Sequence, residues 1–451
     1  MRLSGVIVGL ISVLASSAIV QAESLHSALA AAYRNNPSLN AQRAATRAND
    51  ENLAQANSGF RPQLFATADI AWNKVTSNRG GTVVTRPGSV GVSLQQNLFN
   101  GFRTVNNVKA AKAGILASRE SLRSVEQNTL LQAVNAYLSV LSTQELLSIR
   151  RQNIEFLKEQ RRSSKARLEV GEGTRTDLAQ SDAQLALARA QLSAAEANWA
   201  TAKATYRQTI GHAAGKVSWS SGPQRLLPKG QKQAIGLGIR NHPAILASQH
   251  AVDAQAFNVK VSEGAFLPSV DATATAAHQI NQQSQGTTVD VLQGKIAVKI
   301  PLYQGGQASS AVRQNKQVLS QKRILVDEAR DSVRQEVVEA WTQLISARAN
   351  LSANRAQLKA SRLALSGVVE ERNVGQRTQL DVLNAQSSVL QSLELQLQSR
   401  TTQVTSQYRL IAAVGRLNSK RLNLNVAHYV PENHTDAIKD LWFGLRTPTN
   451  Q

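Results

Sequence analysis

The chain has no cysteine, one methionine, 4% aromatic residues and only ten prolines among its 451 residues. Without cysteine there is no disulfide framework, thiolate metal site, cysteine nucleophile or lipidated N-terminal cysteine, and the composition fits an oxidising compartment. No proline lies between Pro87 and Pro223, or between Pro301 and Pro431. Proline breaks regular elements, so each gap predicts very long uninterrupted helices. After residue 22 no apolar run approaches the roughly 20 residues of a membrane-spanning helix. Entry into a membrane after export therefore requires strands. The seven histidines are scattered, and neither a metal-ligand spacing nor a nucleophile motif occurs. The reading is of a protein without enzymatic chemistry, cofactor or metal.

Acidic residues are also scarce: 51 Lys and Arg stand against 30 Asp and Glu, a formal charge of +21. The basic residues are dispersed along the helical tracts in short clusters such as Arg161-Arg162, with no aromatic-interleaved patch. They read as a solvated helical face, and no nucleic-acid partner is expected. Residues 1–22, with Arg2, an apolar run from Leu3 to Val20, and Val20-Gln21-Ala22, predict a secretory signal peptide cleaved after Ala22.

Self-comparison is more informative than composition. Arg34-Asn35-Asn36-Pro37 returns as Arg240-Asn241-His242-Pro243, and Phe60-Arg61-Pro62 returns at the same offset as Phe266-Leu267-Pro268. At a slightly shorter offset, Leu98-Phe99-Asn100-Gly101 returns as Leu302-Tyr303-Gln304-Gly305. That offset also aligns Val170-Gly171-Glu172-Gly173-Thr174-Arg175-Thr176-Asp177 with Val374-Gly375-Gln376-Arg377-Thr378-Gln379-Leu380-Asp381. The predicted organisation is a duplication: residues 23–217 and 231–420, a linker at 218–230 and a tail at 421–451. Each repeat carries a helix, a β-hairpin (60–98 or 266–302) and a long helical hairpin (101–211 or 306–415).

Periodicity assigns the elements. Leu178, Leu185, Leu192, Trp199 and Tyr206 recur every seven residues, as do Leu383, Leu390, Leu397, Val404 and Ile411, and Val337, Leu344, Leu351, Leu358 and Leu365. A heptad seam packs helix against helix in a left-handed supercoil. Between the helices the period falls to two. Val90, Val92, Leu94 and Leu98, and Ile296, Val298, Ile300 and Leu302, alternate with polar or small residues. Each strand is paired with a preceding segment, 64–72 or 270–278, across a polar loop, 73–88 or 279–290. An apolar face opposite a polar one suits a lipid-facing barrel. Four strands cannot close one, and open edges are not tolerated in lipid, so several protomers must contribute.

Taken together, the exported N-terminus, the duplication, Phe-x-Pro before each strand pair, Leu-(Phe/Tyr)-x-Gly entering each long helix and Val-Gly-x-x-Thr-x-x-Asp at each hairpin resemble the TolC-like outer-membrane efflux protein family. The resemblance implies a mainly α fold with membrane β: a duplicated protomer of long coiled-coil helices plus four β-strands. Three such protomers would form a 12-stranded β-barrel continuous with an α-helical barrel. It further implies a channel in the outer-membrane lipid whose helical barrel extends into the periplasm. Such a homotrimer would dock a periplasmic adaptor (membrane fusion) protein and an inner-membrane RND or ABC transporter, and would export drugs or a secreted protein. An adaptor or helical scaffold is the competing reading; an adaptor would need one hairpin and a β-sandwich or lipoyl-like flank.

By the same resemblance, Asp381 lines the periplasmic entrance, with Asn384 where the family often has a second aspartate. Arg377 is expected to tie the closed entrance to Thr176 and Asp177 of the neighbouring hairpin, with Asn373 where a tyrosine is common. Gln160 and Asp327 are candidates for a further link between protomers. The tips at Val170, Gly171 and Thr174, and at Val374, Gly375 and Thr378, are the expected adaptor-docking points. From the residues alone, Asp177 and Asp381 also read as N-terminal caps of the following helices, and Gly171 and Gly375 as helix terminators.

Overall fold

The computed structural model describes residues 23–220, 222–282 and 286–447. The predicted signal peptide, residues 1–22, lies outside them. The described chain opens with α1 (Leu25–Asn35) and α2 (Pro37–Ser58). At their joint the Asn36 side chain accepts from the N–H groups of Ser38 (3.0 Å) and Leu39 (3.2 Å). Pro37 follows at the first helical position, where its missing N–H would have had no partner. Next come β1 (Gln63–Ile70), β2 (Asn73–Ser77), β3 (Gly81–Thr85) and β4 (Gly88–Asn100), then α3 (Arg103–Glu169) and α4 (Arg175–Ile210). The second half repeats the plan with α5 (Gln231–Asn241), α6 (Pro243–Glu263), β5 (Ser269–Ile280), β6 (Thr288–Lys299), α7 (Gln307–Asn373) and α8 (Gln379–Ala413). A short α9 (Glu432–Ile438) lies in the tail.

The strands form one antiparallel sheet in the order β1-β4-β5-β6. Register places Leu64, Val90, Val92, Leu94, Leu292, Ile296 and Val298 on one face, all exposed. Thr67, Ser93, Gln95, Thr273, Thr275, Gln293 and Lys295 occupy the other. This is the predicted amphipathic pattern, and β1 and β6 are left as open edges. The stretch 73–88, expected to be a polar loop, instead holds the separate β2–β3 ladder. Its β-branched Val75, Thr76, Thr82, Val83 and Val84 favour extended backbone, and Gly81 turns the chain at φ +73°.

The chain divides into two compact units. One comprises, of the described residues, 23–31, 133–220 and 358–398, and holds both hairpin turns. Its apolar contacts centre on Ile154, Leu157, Leu185, Ala188 and Leu383. The other comprises 32–132, 222–282, 286–357 and 399–447. It contains the sheet and a core in which Leu237 and Ile245 meet Val337, Leu344, Leu410 and Val414.

Burial sharpens the heptad reading. On α4, Leu185 and Tyr206 are buried, but Leu178, Leu192 and Trp199 are only half-buried. The fully covered heptad row is Ser181, Ala188, Ala195 and Ala202. On α8 the row Ser392, Ser399 and Ser406 is buried in the same way, beside Leu383, Leu397, Val404 and Ile411. Helices approach most closely where side chains are smallest, so the small residues occupy the seam and the leucines flank it. Hydroxyl pairs cross each seam: Ser164 with Ser181 at 3.2 Å and Ser361 with Ser392 at 3.1 Å.

Where strand meets helix, two backbones touch. Gly101 has φ +66°, and a Cβ placed there would stand 2.3 Å from the Gly264 carbonyl oxygen. A Cβ on Gly264 would stand 2.5 Å from the Gly101 oxygen. Glycine at both positions lets the end of β4 lie against the end of α6.

Candidate functional site

The two hairpin turns are near copies, and both sit in the same unit. At the first, α3 ends with Gly171 at φ +84°, its N–H bonded to the Leu168 carbonyl (3.2 Å) and that of Glu172 to Arg167 (2.8 Å). At the second, Gly375 adopts φ +83°, its N–H bonded to Arg372 (3.1 Å) and that of Gln376 to Glu371 (2.9 Å). A left-handed residue that redirects the last amides onto free carbonyls is how glycine ends a helix. A Cβ at either glycine would have nothing within 4 Å. Gly375→Ala is therefore expected to destabilise by backbone conformation alone, about 1–2 kcal/mol, read as a modest fall in the thermal unfolding midpoint of the purified protein. A fall as large as that of a buried glycine would refute this account.

Each following helix starts with a reciprocal cap. Asp177 N–H donates to the Thr174 hydroxyl (3.1 Å) while Thr174 N–H and Oγ1 donate to Asp177 Oδ2 (3.1 and 2.8 Å). Thr378 and Asp381 repeat the arrangement at 3.2, 2.9 and 2.8 Å. The capping role of both aspartates is thus realised. All of these contacts to the carboxylates use Oδ2, and among the described residues none donates to Oδ1. The Thr378 donors, followed by the Arg377 charge, hold the Asp381 carboxyl below the usual carboxylate range, so it stays ionised into mild acid.

Arg377 pairs within its own hairpin, Nε to Glu371 Oε2 at 2.8 Å, and that bond pushes its guanidinium further into its charged range. Thr176, Asn373 and Asn384 are exposed. Gln160 meets Gln379, whose amide lies 3.4 Å from the Gln160 oxygen and 3.5 Å from the Ser181 hydroxyl. Asp327 bonds Arg330 one turn along α7 at 2.9 Å. Val170 and Val374 each stand 71% exposed at the tips.

Several polar groups that join the two hairpins were not anticipated from sequence. Arg150 forms an ion pair with Glu394 of α8 at 2.5 Å, and within its own hairpin donates to Gln191 at 2.7 Å. Gln386 donates to Asn153 at 2.9 Å, and Arg372 reaches the Ser163 hydroxyl at 3.4 Å. Burial and the nearby Arg167 lower the Arg372 pKa, while Asp177 acts on it in the opposite sense. Asn153 and Gln160 lie seven residues apart on α3. A polar pair at heptad spacing beside buried Ile154 and Leu157 was the available signal.

Among the described residues no cluster of three or more His, Cys, Asp or Glu could hold a metal ion. The two tips are capped alike and carry exposed valines, and polar contacts join the two hairpins.

Comparison with known proteins agrees with this architecture. The model of the family described as "Outer membrane efflux protein" matches residues 28–212 and 235–416. The chain is 44% identical over 430 residues to outer membrane efflux protein BepC of Brucella suis biovar 1 (strain 1330), covering 94% of this chain and 92% of that protein. It is 24% identical to alkaline protease secretion protein AprF of Pseudomonas aeruginosa, over 75% of this chain and 72% of that one. The solved open state of the Neisseria gonorrhoeae MtrE outer membrane channel shares the fold, with a TM-score of 0.73, 20% identity, and coverage of 87% of this chain and 89% of that one. With both repeats matched by the family model, and in the same order, this chain belongs to the outer membrane efflux protein family.

Proposed function

We propose that the protein is the outer-membrane exit duct of a tripartite export machine, passive in itself and gated at its periplasmic mouth. The observation that carries this reading is the four-stranded sheet with one exposed apolar face and two open edges, β1 and β6. In lipid those edges must be paired. β6 of one protomer against β1 of the next closes a barrel, and three protomers supply twelve strands, within the range of membrane barrels. The half-buried Leu178 and Trp199 on α4, and Leu390 on α8, are left to helices of neighbouring protomers in the helical barrel. The exposed Val170 and Val374 fit docking by a periplasmic adaptor that couples the duct to an RND or ABC transporter. The names of BepC and AprF speak respectively of efflux and of protease secretion for those proteins. Here the transporter, not the duct, would select between toxic small molecules and a secreted protein.

The hairpin chemistry supports a gate. Asp177 keeps Oδ1 available while its other oxygen caps α4, and Arg377 is held by Glu371 in an exposed pair. Such pairs contribute about 0–1 kcal/mol, so exchanging Glu371 for Thr176 and Asp177 of an adjacent protomer costs little. Repetition around a threefold axis makes several weak links into one latch. Asp381 adds a ring of negative charge at the mouth.

Single-channel conductance in planar bilayers tests this with opposite signs. Arg377→Ala, which removes the latch, is expected to raise conductance; Glu371→Gln, which removes the competing partner, is expected to lower it. If both variants conduct like the parent, Arg377 is a local clasp and no part of the gate.

A further inference from the structure

The tail beyond α9 is fastened to α2 and then left bare. His434 Nδ1 stands 3.2 Å from Oδ2 of the fully buried Asp50, and Arg119 joins Glu432 (3.1 Å) and Thr435 (2.8 Å). Asn57 donates to the Lys439 carbonyl at 3.2 Å, and Arg61 donates to the Leu441 carbonyl. The Arg61 guanidinium also lies 5.0 Å from the centre of the Trp442 ring, a cation–π contact. After these anchorages Trp442 is 67%, Phe443 93% and Leu445 fully exposed.

The place of attachment identifies what covers them. Arg61 precedes Pro62 and the first residue of β1, so Trp442 is held where the chain enters the sheet. At the same end of the strands, beside the helices, stand the exposed Phe60, Phe102, Phe266 and Tyr303. These are the positions of an aromatic girdle at the periplasmic rim of a membrane barrel. Arg446 directly follows Leu445, while Asp440 precedes Leu441; the basic residue on the C-terminal flank suits phospholipid headgroups. A short aromatic segment with a basic flank lies in an interface and does not span it.

We propose that Leu441–Leu445 is an interfacial anchor, seating Trp442, Phe443 and Leu445 among the headgroups of the periplasmic leaflet as a continuation of the rim girdle. The inference rests on the duct reading, because it needs the sheet to be in lipid. With no cysteine available for acylation, side chains alone would form this attachment.

The test uses the intact protein in phospholipid vesicles, taking the difference in tryptophan emission between parent and Trp442→Phe. That difference is expected to be blue-shifted, strongly quenched by lipids brominated near the headgroup, and little affected by aqueous iodide. Quenching by iodide with none by brominated lipid puts the segment in water and overturns the anchor. Protection from both quenchers puts a second protomer over it, and also overturns the anchor. Conductance of the same preparation reports barrel insertion independently. A conducting channel whose Trp442 ignores lipid bromine refutes the anchor alone, whereas a preparation that never conducts refutes the duct reading beneath it.

Discussion

Gly415→Ala is expected to be among the most destabilising single substitutions in the chain, lowering stability by on the order of 3–4 kcal/mol. Gly415 lies just beyond the end of α8 at φ +71°, its N–H bonded to the Ala412 carbonyl at 2.7 Å. The left-handed backbone alone costs a non-glycine residue about 1–2 kcal/mol. The larger share comes from space. A Cβ there would stand 2.5 Å from the Asn241 carbonyl oxygen, 2.7 Å from its carbon and 2.9 Å from the His242 Cα. All three are backbone atoms at the joint between α5 and α6, so no side chain can rotate away. Relief requires moving α8 off the core that Leu237 and Ile245 share with Leu410 and Val414. Gly375→Ala is the control, because its φ is nearly the same but its Cβ meets nothing. The difference in thermal midpoint between the two variants isolates the cost of close approach. Equal midpoints would mean that the α5–α6 joint yields freely and that the contact is unimportant.

What was legible in the sequence was local. Val-Gly-x-x-Thr-x-x-Asp contains its own cap and its own left-handed stop, so both turns follow from residues within one motif. The four long strands were legible because one face is apolar and the other polar. The β2–β3 ladder was not, because every one of its residues is exposed or nearly so and burial imposes no alternation on it. The small-residue seam was hidden for a different reason. Ala188, Ala195 and Ala202 favour helix equally in any environment, whereas the flanking leucines draw attention by size. Contacts such as Gln379 with Gln160, or Arg150 with Glu394, join residues more than two hundred positions apart. Nothing in either segment specifies its partner. Arg377 stands between these cases: its partner Glu371 is six residues away, while the partner implied by the family resemblance belongs to another protomer.

The same duplication supplies the other large effect, which concerns acid. In the first repeat Asn36 caps α2 with a side-chain oxygen; in the second, His242 caps α6 through Nδ1, which accepts from the Ala244 N–H at 3.3 Å. Backbone angles at the two positions nearly coincide, φ −66° and ψ 122° against φ −69° and ψ 126°. A ring nitrogen accepts only when unprotonated. Burial, and then the charge of Arg123, pushes the His242 pKa from 6.5 down to about 4. A pKa depressed in the folded state means that the unfolded chain binds the proton more readily. The contribution is therefore complete above pH 6.5 and is lost as pH falls toward 4. The depression corresponds to about 3 kcal/mol per protomer at most. Glu336, with Oε2 3.9 Å from His242 Nε2, works against it, since burial raises its pKa and favours the folded state as pH falls. His242→Asn restores the cap of the first repeat without a titrating group. Its unfolding midpoint is expected to match the parent at pH 7.5 within the few tenths of a kcal/mol that separate good caps, and to decline less steeply between pH 6.5 and 4. Parallel declines in the two proteins would place the acid sensitivity elsewhere and reduce His242 to a cap.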